Sequence, residues 1–115
     1  MTEKDCIFCK ILREEIPSDL VFENEKVIAF NDLYPQSKTH ILFIHKKHTC
    51  NINEIATDKD QLADIFMAIK HYTESTSLAK DGFRVVTNLG PNGRQSVFHT
   101  HFHVLGGETL GGFGR

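Results

Sequence analysis

The chain has 115 residues, of which 40% are hydrophobic and 24% are charged. This length suffices for one globular domain with a modest core, so we expect residues 1–115 to form a single domain. Thirteen lysines and arginines against fifteen aspartates and glutamates give a formal net charge of −2. The chain lacks the basic surplus that drives binding to nucleic-acid backbones, so nucleic acid is not an expected partner.

No apolar run approaches the roughly 20 residues that span a bilayer, and the first residues lack the regions of a signal peptide. We therefore expect a cytoplasmic protein without membrane contact. The cysteines number three, and Cys6 and Cys9 are too close together to close a large loop. A secreted disulfide framework is not expected, and reduced thiols or metal ligands fit better.

The first half of the chain predicts one short helix and three strands. Apolar residues recur at helical spacing over residues 5–15, with Asp5 as the candidate cap. Three short β-prone runs follow at residues 20–23, 27–31 and 40–45. Short runs separated by turn residues are typical of an antiparallel meander.

The second half predicts one long helix and two further strands. The helix covers residues 58–80, with Asp58 as its cap and an apolar stripe along one face. The strands are predicted at residues 83–87 and 98–105. The glycine-rich segment 106–115 is expected to be a mobile tail.

Histidines stand at every second position of the last predicted strand, at His99, His101 and His103. Successive side chains of a strand point to opposite faces, so the three imidazoles are expected to share one face. The unperturbed pKa of histidine lies nearest neutrality among the side chains, so three together favour proton transfer, nucleophilic attack, phosphate contact or metal ligation. We expect the functional site here.

The loop of residues 88–96 leads directly into these histidines. Its glycines give the backbone freedom to present N–H donors to an anion. The side chains of Asn88, Gln95 and Ser96 are candidate phosphate contacts. An ordinary hairpin connection would explain the same glycines, but the position just before His99 favours the phosphate role.

Cys6 and Cys9 form a C-x2-C pair, whose thiolates can supply half of a tetrahedral zinc site. Nitrogen donors for the other half occur in residues 45–48 and at His99. The spacing also fits a redox pair or two buried thiols, but no thioredoxin-like pattern surrounds it, so metal is favoured. In another interpretation, His99 and His101 share an ion in a pure metal-binding module.

The segment His99-Thr100-His101-Phe102-His103-Val104-Leu105 resembles the His-x-His-x-His motif of the histidine-triad (HIT) superfamily. Stretches over nearly the whole chain resemble its nucleotide-binding branch: Ile7-Phe8-Cys9-Lys10-Ile11, Ile16-Pro17, Ala29-Phe30-Asn31-Asp32, Thr39-His40-Ile41-Leu42, Lys46-Lys47-His48, Gly93-Arg94-Gln95-Ser96-Val97 and Gly106-Gly107. The resemblance implies an α+β fold with a five-stranded antiparallel sheet, one long helix and one short helix. It also implies a homodimer in which the two sheets join into one of ten strands.

The resemblance further implies a reaction on purine nucleotides, as AMP or GMP derivatives. The middle histidine, here His101, would attack the α-phosphorus of an ester or amide, and water would then hydrolyse the nucleotidyl-histidine intermediate. His103 would orient His101 or contact phosphate, and His40 would extend the hydrogen-bonded relay. Ser96 and Gln95 would stabilise phosphate oxygens or help to protonate the departing amine.

The remaining site residues also follow from the resemblance. Asp32, with Asn31 beside it, would accept hydrogen bonds from the ribose hydroxyls. An apolar slot for the base would be formed by Ile7, Phe8, Ile11, Phe22, Phe30 and Leu42. Members with the N-terminal cysteine pair hold a structural zinc, and no organic cofactor is implied. The corresponding zinc ligands here are Cys6, Cys9, His48 and His99.

The chain departs from the family pattern at two places. Arg94 stands where relatives often have a second glycine, and residues 111–115 lack the tryptophan-containing tail of animal relatives. A purine nucleoside phosphoramidase is the favoured function, supported by Gly106-Gly107 after the triad. The alternatives are a dinucleoside polyphosphate hydrolase and a nucleotide-binding or zinc-binding regulatory module with negligible turnover.

Overall fold

A computed structural model describes residues 3–113, which form a five-stranded antiparallel sheet with helices on both faces. The strands are β1 (Leu20–Glu23), β2 (Val27–Asn31), β3 (Thr39–His45), β4 (Phe83–Val86) and β5 (His101–Gly106). Their order in the sheet is β1-β2-β3-β5-β4, so β5 lies between β3 and β4. The predicted α+β class and five-stranded sheet are confirmed.

The helices are α1 (Ile7–Leu12), α2 (Ile52–Ile55), α3 (Lys59–Glu74) and α4 (Leu78–Asp81). None of the helices within residues 3–113 is long and apolar enough to cross a bilayer. The predicted cap of α1 is wrong, because Cys6 takes that position instead of Asp5. The Cys6 Sγ accepts the backbone N–H of Cys9 at 3.4 Å, which ties the cysteine pair to the start of the helix.

The helix predicted over residues 58–80 is divided in two. Its cap is as predicted, because the Asp58 carboxylate accepts backbone N–H groups of the first turn. α3 ends where two hydroxyls turn back onto helix carbonyls: Ser75 Oγ donates to the Tyr72 carbonyl at 2.7 Å, and Thr76 Oγ1 donates to the Thr73 carbonyl at 3.1 Å. Such local hydrogen bonds compete with the helix ladder, so the chain turns before α4 begins.

The short helix α2 is not predicted by the periodicity. Its cap is Asn51, whose Oδ1 accepts the Glu54 backbone N–H at 3.0 Å, while the Glu54 carboxylate accepts the Cys50 backbone N–H at 3.0 Å. These paired bonds resemble a capping box, a sequence signal that was available at residues 51–54.

The strands bury both faces of the sheet. One face packs against α2, α3 and α4 through Val27, Ala29, Ile41, Phe43, Phe102, Val104, Ile55, Ile65, Ala68, Ile69 and Leu78. The other face packs against α1 through Cys6, Phe8, Cys9, Ile28, Phe30, Leu42 and Ile44. His101 and His103 lie opposite Ile44 and Leu42 on β3, so these two imidazoles share the α1 face, as predicted.

Phe22 does not join the α1 face, and its predicted place in the base slot is wrong. The register between β1 and β2 shifts, so that Leu20 lies opposite Phe30 but Phe22 lies opposite Ala29. This irregularity turns Phe22 to the opposite face, because side-chain direction alternates along a strand. Its ring packs 6.2 Å from the ring centroids of both Phe43 and Tyr72 in the other core layer.

The last strand begins at His101 and not at residue 98 as predicted. Residues 97–100 have no regular structure, and the Thr100 backbone N–H donates to the Thr49 carbonyl at 2.7 Å instead of joining the ladder. The segment predicted as a tail starts within the sheet, because Gly106 is the last residue of β5. Farther along, Arg84 Nη2 donates to the Gly111 carbonyl at 3.0 Å. Residues 114–115 lie outside the described residues.

Candidate active site and metal-ligand cluster

A cavity of about 340 Å³ opens on the α1 face of the sheet. Most of the predicted substrate and catalytic residues line it: Ile7, Phe8, Ile11, Phe30, Asn31, Asp32, Leu42, Ser96, His101 and His103. Its walls are mainly apolar at α1 and β2, whereas imidazole and hydroxyl groups stand at β5 and the loop before it. Such a combination suits a ligand that has both a planar apolar part and an anionic part.

His101 is held in one tautomer. Its Nδ1 lies 2.7 Å from the backbone carbonyl oxygen of His99, which can only accept, so the proton is on Nδ1. The other nitrogen, Nε2, therefore keeps its lone pair. The Phe8 ring packs edge-on against this imidazole at a centroid distance of 5.1 Å, and burial lowers the pKa of His101. A neutral imidazole with a free Nε2 has the properties of a nucleophile at neutral pH.

A chain of hydrogen bonds fixes the protons of His40 and His103. The Gln36 backbone N–H donates to His40 Nδ1 at 3.0 Å, so a neutral His40 carries its proton on Nε2. That Nε2–H donates to His103 Nδ1 at 2.9 Å, and Asp32 Oδ2 lies 3.5 Å away as a second acceptor. His103 in turn carries its proton on Nε2, so it offers a donor to an anion.

Asp32, His40 and His103 also place three donor atoms close enough together to hold a metal ion. The tautomer argues against that use. A metal on His40 Nε2 would force the proton onto Nδ1, where the Gln36 N–H already donates. Two donors would then face each other, so the cluster is better suited to relaying protons.

The relay is expected to stay neutral under mildly acidic conditions. Burial lowers the pKa of His103 to about 4, and it also lowers that of His40. Between about pH 6.5 and pH 4, His103 is protonated in the unfolded chain but stays neutral in the folded protein. The free energy of unfolding should therefore fall as the pH falls through this window. Urea unfolding at a series of pH values measures this fall.

Nuclear magnetic resonance tests the same prediction at the residue. The imidazole resonances of His103 in the folded protein should not shift between about pH 8 and pH 5.5, whereas the urea-unfolded chain should titrate near pH 6.5. A His103 titration midpoint near 6.5 in the folded protein would contradict a buried, neutral relay.

The second cluster contains the four predicted metal ligands, Cys6, Cys9, His48 and His99. Cys6 Sγ lies 3.3 Å from His99 Nδ1, and Cys9 Sγ lies 3.3 Å from His48 Nδ1. The two Nδ1 atoms are 3.2 Å apart. Zinc bonds of about 2.0 Å to nitrogen and 2.3 Å to sulfur place tetrahedral ligands roughly 3.3–3.8 Å apart, so the spacing fits zinc.

The surroundings of this cluster also fit a metal. His99 Nε2–H donates to the His45 carbonyl at 3.1 Å, and His48 Nε2–H points to Cys50 Sγ at 3.9 Å, so both imidazoles present an Nδ1 lone pair. Burial first, and then the neighbouring Cys6, raise the pKa of the Cys9 thiol to about 12. A cation is therefore needed to hold this cysteine as a thiolate. Bound zinc would supply a crosslink between α1, the segment after β3 and the segment before β5.

A pair of threonines joins the two histidine segments of the cluster. The hydroxyl groups of Thr49 and Thr100 share a hydrogen bond of 2.7 Å, and both side chains are buried. Together with the bond from the Thr100 N–H to the Thr49 carbonyl, they hold His48 and His99 side by side. Sequence reasoning gave Thr100 no role, because its partner lies 51 positions away.

Asn88 and Gln95 are not among the residues that line the cavity, and their amides shape the loop itself. Asn88 Nδ2 donates to the Gly93 carbonyl at 2.6 Å. Gln95 Nε2 donates to the Cys50 carbonyl at 2.6 Å, and its Oε1 accepts the Gly90 N–H at 3.1 Å. Both amides thus make hydrogen bonds within the protein, whereas Ser96 is exposed at the cavity, and the phosphate contact of Asn88 and Gln95 stays a prediction.

Arg94, one of the two places where the chain departs from the family pattern, has an unusual backbone conformation. Its φ is +60°, in the left-handed region that glycine adopts at no cost. A glycine would suit this backbone, so the arginine carries a strain of about 1 kcal/mol. The loop nevertheless keeps its turn, because the Arg94 N–H donates to the Pro91 carbonyl at 3.1 Å.

Known proteins resemble this chain along most of its length. A model of the HIT domain matches residues 13–110. A purine nucleoside phosphoramidase of Escherichia coli is 38% identical over 94% of this chain and 92% of its own length. A 14 kDa zinc-binding protein of Zea mays is 39% identical, covering 96% of this chain and 88% of its own. A 0.95 Å resolution structure of a histidine triad protein from Clostridium difficile superposes with a TM-score of 0.91 at 40% identity, covering 98% of this chain and 99% of that one.

Proposed function

Because the chain belongs to the HIT domain family, we propose that it is a hydrolase that cleaves purine nucleoside 5′-phosphoramidates at the α-phosphorus, through a nucleotidyl intermediate on His101. The observation that carries this proposal is the bond from His101 Nδ1–H to the His99 carbonyl, which leaves Nε2 unprotonated in a residue that lines the cavity. The similarity to the E. coli phosphoramidase supports the choice of an amide substrate.

The substrate is arranged along the cavity by groups of different chemistry. The base occupies the apolar part, where Phe8 and Phe30 pack edge to face with centroids 5.5 Å apart. Asp32 accepts hydrogen bonds from the ribose hydroxyls. The α-phosphate lies at β5, where His103 Nε2–H and the Ser96 hydroxyl donate to its oxygens.

In the first step, His101 Nε2 forms a bond to phosphorus and the phosphorus–nitrogen bond of the substrate breaks. The electron pair leaves with the amine, which takes up a proton, and Ser96 is the exposed hydroxyl placed to pass one from solvent. The nucleotidylated imidazole becomes cationic with its proton still on Nδ1. The His99 carbonyl stabilises that charge through the 2.7 Å hydrogen bond.

In the second step, water attacks the same phosphorus and His101 Nε2 leaves with its electron pair. The water gives up a proton to solvent, so the nucleoside monophosphate is released and the imidazole returns to its starting tautomer. Two displacements with an intermediate of modest stability replace one difficult displacement.

We also propose that Cys6, Cys9, His48 and His99 hold a structural zinc, in line with the zinc-binding relative from Zea mays. The reaction does not pass through this metal. Its contribution is positional, because His99 supplies both a ligand nitrogen and the carbonyl that orients His101.

The proposed function is tested with purified wild-type protein and two substrates, adenosine 5′-phosphoramidate and a diadenosine polyphosphate. We expect the protein to release AMP from the phosphoramidate with a kcat/KM at least about tenfold higher than its kcat/KM for the diadenosine polyphosphate. Preference for the diadenosine compound would favour a dinucleoside polyphosphate hydrolase. AMP binding without turnover of either compound would favour a nucleotide-binding regulatory module.

A homodimer is part of the proposal. β4 is an edge strand with half-exposed apolar side chains, Phe83 at 38% and Val85 at 37%, and an unpaired edge is a site for strand pairing. Joining β4 to its copy would give the ten-stranded sheet. Light scattering of the wild type should therefore give twice the mass of one chain, and Val85→Asp should give a single-chain mass.

The matched control for this variant is Leu20→Asp on β1, the opposite edge of the same sheet. Leu20 is also exposed, at 46%, so the two substitutions place the same charge on comparable surfaces. The control should remain a dimer. Equal masses for all three proteins would contradict pairing through β4.

A further inference from the structure

Two large side chains project into solvent at the outer lip of the cavity. Leu33 is 85% exposed and Tyr34 is 80% exposed, yet both line the cavity that contains His101. They follow Asp32 directly, in the turn between β2 and β3. An aromatic ring held in water beside an apolar slot is free to cover a ligand that enters the slot.

The backbone of Tyr34 is fixed on both sides while its ring is left free. The Tyr34 N–H donates to Asp32 Oδ1 at 2.8 Å, and the Tyr34 carbonyl accepts from Gln36 Nε2 at 3.1 Å. Pro35 follows, which restricts Tyr34 to extended backbone conformations. Only two side-chain torsions remain to be ordered on contact with a ligand, so the entropic cost of closing the ring is small.

The position of Tyr34 along the cavity identifies the part of the ligand that it meets. Phe30, Leu42 and His103 lie opposite one another on β2, β3 and β5. Neighbouring strands are about 4.8 Å apart, so the reacting histidines and Phe30 are separated by roughly 10 Å. With phosphate at the histidines, the base lies toward β2, the strand that carries Phe30 and leads into Tyr34, and both of these side chains line the cavity.

We propose that the Tyr34 ring closes over the outer face of the purine, opposite the apolar floor of the slot, and that it thereby strengthens binding of the base. The inference rests on the proposed function for the presence of a nucleotide in the cavity. Asp32 connects Tyr34 to the histidines, since its Oδ1 fixes the Tyr34 backbone while its Oδ2 lies 3.5 Å from His40 Nε2.

The composition of the chain provides a direct probe, because it has two tyrosines and no tryptophan. AMP should quench the tyrosine fluorescence of the wild type and of Tyr72→Phe, whose ring packs against Phe43 in the other core layer. The quenching should be lost in Tyr34→Phe. Equilibrium dialysis should show that Tyr34→Phe retains AMP affinity within about twofold, whereas Tyr34→Ala weakens it about fivefold or more.

Ribose 5-phosphate is the matched ligand, since it has the sugar and phosphate but no base. Its affinity should be equal in the wild type and Tyr34→Ala. AMP affinity that is unchanged in Tyr34→Ala, or an equal loss for both ligands, would overturn the role of Tyr34 and leave the proposed function intact. Bound AMP that quenches Tyr34 without any turnover of phosphoramidate would overturn the proposed hydrolysis alone, and absence of AMP binding would overturn both.

Discussion

His101→Ala is expected to lower the kcat for phosphoramidate hydrolysis by about 10⁴-fold or more, because the side chain that forms the covalent bond to phosphorus is removed. The other groups around the phosphate remain, so AMP should still bind. Mass spectrometry of wild-type protein quenched during turnover should show a protein heavier by one adenylyl group. The alanine variant should show no such species.

The control for loss of a histidine is His71→Ala, on the exposed surface near the end of α3. It should retain wild-type kcat. Since His101 also packs against Phe8, circular dichroism and zinc content must show that His101→Ala is folded. A folded variant that keeps its turnover or still forms the adduct would place the nucleophile elsewhere.

Cys9→Ser is expected to lose the zinc and a large part of the stability of the fold. Zinc at a thousandfold excess over its Kd stabilises a protein by about 4 kcal/mol. The Tm of Cys9→Ser should therefore lie roughly 15 °C or more below the Tm of the zinc-loaded wild type. Thermal unfolding followed by circular dichroism measures the difference, and atomic absorption gives the zinc content. Activity should fall as well, because the carbonyl that orients His101 belongs to a zinc ligand.

The third cysteine offers an isosteric control. Cys50 lies 3.9 Å from His48 Nε2, on the side of the ring away from the ligand nitrogen. Cys50→Ser should therefore keep one zinc for each chain and a Tm within a few degrees of the wild type. A Cys9→Ser protein with unchanged zinc content and Tm would contradict the assigned ligand set.

The sequence predicts the strands well, because buried strands carry a strong alternating or continuous apolar signal. β1 and β2 have the predicted limits, and β3 differs by one residue. The predicted zinc ligands come together as a cluster, since a C-x2-C pair and two histidines restrict the choices. The residue pattern alone left the donor within residues 45–48 open, and the family resemblance selected His48.

The errors have local physical causes that periodicity does not detect. The irregular register between β1 and β2 turns Phe22 away from the cavity. No residue type in these strands predicts such a register shift. The Ser75 hydroxyl bond ended α3 within an otherwise helical pattern. Thr100 left the strand for a partner on Thr49, a contact between distant segments that only the folded chain creates.

The order of the strands bears on when the protein can fold during synthesis. β5 leaves the ribosome after the other four strands of the sheet, yet it lies between β3 and β4 in the folded protein. Until it emerges, β3 has an open edge, β4 has no neighbour, and the zinc ligands lack His99. We therefore expect the nascent chain to remain open to chaperones and proteases until β5 has been made. The sheet, the metal cluster and the catalytic strand should then form together in one late step.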